Sequence, residues 1–568
     1  MRTSPRLLLG VAAVAVAFAA ADTYVVVLAL PDMMSGAGLA VDELQRAAPI
    51  VSGFLLGYVA MLPLIGRIAD LRGRLPVLVG SLVVFALGSL VTAASYDLTS
   101  MVAGRFLQGV GGGGLVPATL ALVADIYPPA RRGVPLGVVG AVQEVGSVLG
   151  PLYGALVLAL ADWEAIFWVN LAVGLVLAAA LLSLRGEPHT PGRARRDVVG
   201  MLLVALALTL LTLVLLEPDR LTRGITSGLA FVPVAGDSRW LTPLALALYA
   251  ATVLLVARSL TAPHPVLDLR GWVAVGRSAD LLGASLIALA LGGVILAFAT
   301  ADPEVQVFSP AGPWLLTASA LAVLLFWLHN RRAAAPLVPH GAFAATPAWG
   351  SLLVSLFVGA ALIAALVDIP IFARVTVYPD SQLMAALVLL RFLVALPVGA
   401  LLGGFLVRRL PTGVVTAAGM VLAAAAFAWM SGWGLDSLDH AVATVPLVIG
   451  GLGFGLAVAP VNAALLAATA DAVHGVASAL LVVARMVGML VGISALTTIG
   501  LRRYYSLQVD LPAPSEVCGG PSRCSAYTVM LKEAGLAQLQ TVFVGAAVCA
   551  VLAAVLALVT FRSLKVAR

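Results

Sequence analysis

AVAFAAADTYVVVLALP, residues 15–31, is almost wholly apolar, yet Asp22 sits in its middle. A run of about 20 apolar residues crosses a bilayer as a helix. Such runs recur along the whole chain of 568 residues, of which 61% are hydrophobic and 11% charged. A soluble protein of this size would carry roughly a quarter charged residues. The sequence is therefore that of an all-α polytopic membrane protein, not a soluble enzyme. Its net charge of +6 comes from arginines scattered in short loops, so it is not a nucleic-acid footprint. Residues 1–24 imitate a secretory signal. The first run is long enough to span by itself and fifteen more follow, so it is read as the first span.

The sixteen expected spans are roughly 7–30, 49–70, 76–95, 101–123, 134–160, 165–184, 198–216, 241–259, 278–300, 312–330, 347–368, 384–409, 413–432, 443–469, 475–500 and 541–561, with fourteen as the fallback count. An even number puts both termini on one side. With the termini inside, 21 of the 33 basic residues fall on the cytoplasmic side and nine outside, which satisfies the positive-inside rule. The middle holds a repeat. DVVGMLLVALALTLLTLVLLEPD (197–219) is like SADLLGASLIALALGGVILAFATADP (278–303), and 240–269 is like 314–341. A helix pair duplicated between two larger halves gives domains 1–186, 187–346 and 347–568.

Several stretches carry more than hydropathy. GRIADLRGR (66–74) joins the second and third spans. Gly66 and Gly73 suit a tight turn, Asp70 suits a helix cap or an ion pair, and Arg72 and Arg74 face the cytoplasm. RFLQGVGGGG (105–114) places Arg105 and Gln108 in the fourth span. GAVQEVGSVLGPLYGA (140–155) places Gly146, Gly150, Pro151 and Gly154 in the fifth. Small residues four apart let helices approach closely, and proline bends a span. DTYVVVLALP (22–31) closes the first span.

In this order and spacing, these stretches resemble the motifs of the major facilitator superfamily, in its drug:proton antiporter branch with more than twelve helices. The resemblance covers 1–186 and 347–568 and implies two six-helix bundles plus a central insert. In that family the loop aspartate latches the cytoplasmic side, and Gly-x-x-x-Gly-Pro-x-x-Gly marks antiporters. Tyr24 and Val27 replace the branch's usual Thr and Asn. DTYVVV, QEVGSVLGPLYG, LVDIPIF (366–372) and GVASALLVVARMVGML (475–490) are similar to mycobacterial exporters of triacylglycerides and glycolipids that work with a periplasmic lipoprotein. The departures are two additional helices and Arg391 in the twelfth span.

Asp22, Arg105, Glu144, Arg391 and Arg485 lie well inside spans. Each costs roughly 2.5–3.5 kcal/mol at mid-bilayer even on the lenient insertion scale. Burial disfavours an ionised carboxylate and a neighbouring arginine favours it. A carboxylate balanced between the two exchanges a proton near neutral pH. The expectation is a triad in which Asp22 and Glu144, from the first half, face Arg485 from the second. The resemblance implies the same triad. Arg105 and Arg391 read more as locks, and Asp368 is a secondary candidate.

The fifteenth span runs on through GLRRYYSLQ, and SAYTVMLKEAGLAQLQTVF precedes the last, so both helices are expected to project as an outside ledge. Cys518 and Cys524 flank GGPSR there and read as a disulfide of an oxidising compartment. No histidine accompanies them, so no metal or cofactor is expected. The functional expectation is a monomeric proton-coupled secondary transporter of the bacterial plasma membrane, not an enzyme. Its cargo is a lipid or, alternatively, a small hydrophobic cation. A non-transporting scaffold is the third reading. It is disfavoured because a scaffold needs neither the latch nor the carboxylates.

Overall fold

The computed structural model describes the chain except residues 1–4, 40–43, 185–196, 264, 300–308, 380, 510, 513, 519–523 and 563–568. The described residues form nineteen α-helices joined by turns and short 3-10 segments. The first half holds α1 (Pro5–Gly36), α2 (Leu44–Arg72), α3 (Arg74–Ala93), α4 (Leu98–Ile126), α5 (Gly133–Leu160) and α6 (Glu164–Ser183). The insert holds α7 (Val198–Leu216), α8 (Asp219–Thr222), α9 (Pro243–Thr261), α10 (Leu269–Ser278), α11 (Leu281–Ala299) and α12 (Gly312–Arg332). The second half holds α13 (Thr346–Val375), α14 (Gln382–Leu406), α15 (Thr412–Met430), α16 (Thr444–Ala468), α17 (His474–Val509), α18 (Pro514–Cys518) and α19 (Ser525–Thr560).

Sixteen of these helices are long and apolar enough to cross a membrane. α17 and α19 have 36 residues each, about 54 Å at 1.5 Å per residue. The hydrocarbon core is only about 30 Å thick, so both run well beyond it. α19 starts sixteen residues before the expected 541, because nothing between Ser525 and the apolar run breaks a helix.

The halves are two packed bundles. In the first, α4 packs on α2 and α3, α1 on α5, and α3 on α6. In the second, α16 packs on α14 and α15, and α13 and α19 on each other. The second half is filled by aromatic rings, with Phe372, Phe392, Phe427, Phe454 and Phe543 buried. The halves meet along two seams, α2 on α17 and α5 on α14.

The insert pairs α7 with α9 and α11 with α12, and the two pairs are tied off alike. Asp197 caps α7 at the Gly200 amide (3.0 Å) and pairs with Arg258 of α9 (2.9 Å). Asp280 caps α11 at the Gly283 amide (3.0 Å) and bonds His329 of α12 (2.7 Å). Asp280 also accepts the Leu337 amide, eight residues past His329. The Gly200 amide and the Arg258 side chain hold Asp197 below the usual carboxylate range.

Candidate functional site

Asp22 lies in α1 with 1% of its surface exposed. Gly146, Gly150 and Gly154 of α5 sit against Ala17, Ala21 and Val25 of α1, so the two backbones nearly touch. The side chain of Pro151, between them, lies outside the described ones, as do those of Tyr24 and Val27. On the other side of Asp22 stands α4. Arg105 and Gln108 are three residues apart and share one face of that helix. Arg105 Nη1 lies 2.9 Å from Asp22 Oδ2 and donates to Gln108 Oε1 at 2.8 Å. Gln108 donates to Ser89 Oγ at 2.8 Å, and Asn170 donates to Asp22 Oδ1. The guanidinium is 4.5 Å from the Phe54 ring centroid and 5.8 Å from that of Phe167.

This arrangement corrects the expected triad. Asp22 is paired within the first half, to Arg105, and not across the halves to Arg485. The reason is local, because a buried charge needs its partner and its hydrogen bonds close by. Arg105, Asn170 and Gln108 supply them.

Glu144 of α5 is also buried. Arg485 of α17 acts electrostatically on both Glu144 and Tyr58. Among the described residues, no hydrogen bond or ion pair joins Arg485 to either. One first-half acid thus lies within electrostatic range of the second-half cation. Arg391 of α14 donates to Thr444 Oγ1 at 3.0 Å, a tie within the second half. Asp368 of α13 is buried, and no hydrogen bond or ion pair reaches it among the described residues.

The end of α2 and the start of α3, residues 66–74, build a closed latch, with Gly66 inside α2 and not in the turn expected of it. Gly73, with φ +93°, turns α2 into α3 in a conformation that favours glycine. Asp70 accepts from the Gly475 amide (2.8 Å) and the Val476 amide (3.0 Å), which caps the N-terminus of α17 in the other half. That is where a carboxylate meets free N–H groups and the positive end of the helix dipole. Arg74 bridges Asp70 at 2.8 Å and Asp125 at 3.4 Å and donates to the Ala69 carbonyl at 2.7 Å. Gly66 lies backbone to backbone with Gly475, and a Cβ on Gly66 would sit 2.6 Å from the Gly475 oxygen. The other seam is shut at the same end, where Gly137 of α5 meets Ala400 and Gly404 of α14. Toward the opposite face α5 is bare, with Leu152 50%, Leu156 61% and Leu160 79% exposed.

On that opposite face, α13, α17 and α19 enclose a groove of about 680 Å³ whose lining includes Arg374, Tyr504, Tyr505, Gln508, Lys532 and Gln538. Cys518 and Cys524, just before α19, form a disulfide. Sequence reasoning missed Ser89 and Asn170 as ligands of the Asp22 network, and it missed α10 altogether.

The model of the Major Facilitator Superfamily matches residues 12–329. The chain belongs to that superfamily. It is 35% identical over 508 residues to the triacylglyceride transporter of Mycobacteroides abscessus, covering 88% of this chain and 82% of that protein. It is 36% identical over 535 residues to that of Mycolicibacterium hassiacum, covering 91% and 84%. For that of Mycobacterium tuberculosis H37Rv the identity is 34% over 528 residues, covering 90% and 86%. The fold is like that of the human organic anion transporter MFSD10, with a TM-score of 0.53 at 16% identity over 98% of this chain and 99% of that one. It is also like that of the proton:xylose symporter XylE, with 0.53 at 13% identity over 96% and 94%. The superfamily makes this chain a multi-pass membrane transporter.

Proposed function

We propose that the chain is a proton-coupled exporter of triacylglyceride-like lipid or glycolipid that works by alternating access between the halves 1–186 and 347–568. The arginine bias supports placing the latch face and both termini on the cytoplasmic side of a bacterial plasma membrane. The state described is then outward-facing, with its cytoplasmic side shut. The observation that carries the reading is Glu144 opposite Arg485 across the halves, unbonded, while Asp22 is already neutralised by Arg105. Ionised Glu144 attracts Arg485 and draws the halves together at mid-membrane. A proton arriving from outside removes that attraction and frees the halves to rock. Asp22 and Arg105 hold α1 and α4 together through the cycle.

The names of the relatives support lipid as cargo. The groove and long helices of the far face suit a hand-off to a periplasmic lipid-carrying lipoprotein by a monomeric transporter. The antiporter motif in α5 favours one second reading, efflux of small hydrophobic cations. The test is a proteoliposome assay with an imposed pH gradient. It follows a labelled triacylglyceride and, separately, an ethidium-type dye. Glu144→Gln and Arg485→Ala should abolish gradient-driven lipid movement, and Asp22→Asn should reduce it. Wild-type transport in all three would refute the coupling. Dye movement without lipid movement would leave the second reading.

A further inference from the structure

We propose that Asp268 and Trp272 of the insert are positioning residues of the cytoplasmic gate, holding Arg72 so that the insert favours the closed latch. The 66–74 loop carries three arginines. Arg74 serves Asp70, but Arg72 turns the other way. Its Nη2 bonds Asp268 Oδ2, and its guanidinium lies 4.8 Å from the Trp272 ring centroid. Both partners belong to the insert, outside the two bundles that the latch joins.

The local sequence builds this clasp. Asp268 caps α10 by accepting from the Gly271 amide at 3.0 Å. Gly271 leaves the guanidinium room that any side chain would take. One residue on, the indole of Trp272 comes to rest over Gly80 of α3, about where a Cβ on that glycine would be in van der Waals contact at 3.4 Å. A ten-residue amphipathic helix is thereby clipped to α2 and α3, both of the first half.

The chain then enters α11, which packs on α2 and also touches α17. Leu291 and Ile295 join an apolar core that both halves share, and Gly292 lies against Leu56. α2 and α17 are the two helices that Asp70 ties together. The insert therefore touches both sides of the seam that must part when the cytoplasmic face opens, and it is clasped to one of them. Parting α2 from α17 pulls α11 off one side, so every contact of the insert across that seam weighs toward the closed latch.

This inference goes beyond the proposed function, because its test reads conformation and not cargo. Spin labels go on Arg131→Cys and Leu410→Cys, exposed residues at the latch end of each half, in a full-length Cys549→Ser background. Electron–electron resonance then reports the fraction of molecules with the latch end open. Asp268→Asn and Trp272→Ala should each raise the ratio of open to closed by up to roughly fivefold, and the double variant by roughly threefold to thirtyfold, the scale of an exposed ion pair plus a cation–π contact. Asp268→Glu should restore most of the closed state. High salt should open the wild type by more than it opens Asp268→Asn, whose remaining salt response comes from the other ion pairs of the latch. Unchanged distance distributions in both Asp268→Asn and Trp272→Ala would overturn the proposal, whatever the protein is found to carry.

Discussion

Asp22 and Arg105 face each other at 2.9 Å, each with 1% of its side chain exposed, and both belong to the first half. The pair is structural before it is anything else. Removing one member of a buried pair strands the other charge, at a cost of about 3–5 kcal/mol. Arg105→Met should therefore lower thermal stability in detergent sharply. The double variant Asp22→Asn with Arg105→Met should recover much of the loss. A double-mutant cycle by thermal unfolding checks this, and additive losses would mean that the pair is not coupled.

Glu144 has no such partner, so its substitution should separate fold from function. Glu144→Gln keeps the shape of the side chain and removes its charge. Detergent stability should change by less than about 1 kcal/mol, the scale of substitutions that break no network. Gradient-driven transport should fall at least tenfold. Normal proton-driven cargo export in this variant would move the coupling role to another acid.

Gly66 and Gly475 are small because the closed latch needs their backbones in contact. Gly66→Val leaves α2 helical but wedges it away from α17. Thiol reagents should then reach cysteines placed at the latch ends of both halves several-fold faster, while Asp70→Asn, which loses the cap on α17, should act in the same direction. Slow labelling of Gly66→Val would show that the latch closes without this contact.

The Arg72 side chain, followed by the Gly271 amide, holds the Asp268 carboxyl below its ordinary value. A lowered folded value means that the clasp contributes fully above the unfolded carboxylate pKa of about 3.9 and is lost as pH falls through the folded one. From pH 5 to 8 the clasp should not titrate, so any pH response of the latch in that window must come from other groups. Labels at the latch end recorded across that range in wild type and Asp268→Asn should differ by a constant offset. A difference that changes between pH 5 and 8 would contradict this.

Asp280 accepts from His329 and from the Gly283 and Leu337 amides at once. Asp280→Ala removes a helix cap and should cost about 1–2 kcal/mol. The loss should show as faster proteolysis within 333–345, with the bundles intact.

The spans were legible because hydropathy alone marks a helix in lipid, and 198–216 matched α7 to the residue. The long α17 and α19 were legible because no proline or turn interrupts GLRRYYSLQ or the stretch before 541. The disulfide followed from its spacing, and the latch from Asp70 and its glycines. The partner of Asp22 was not legible. Hydropathy gives the faces of a helix but not its neighbours, and two arginines at similar depth, Arg105 and Arg485, competed for one acid. Only packing placed α4 beside α1. Asn170 and Ser89 look like ordinary small polar residues until three helices converge on them. α10 was hidden in a Pro-rich, arginine-bearing stretch too short for a span. Its one signal was Asp268 three residues before Gly271, the same spacing that caps α7 and α11.

That recurring aspartate has an evolutionary corollary. Each hairpin of the insert carries its own helix-capping aspartate and its own basic partner. Such a cassette can be copied within a gene without re-engineering its host. The pair α11–α12 reaches the seam between α2 and α17, whereas α7 and α9 are largely bare.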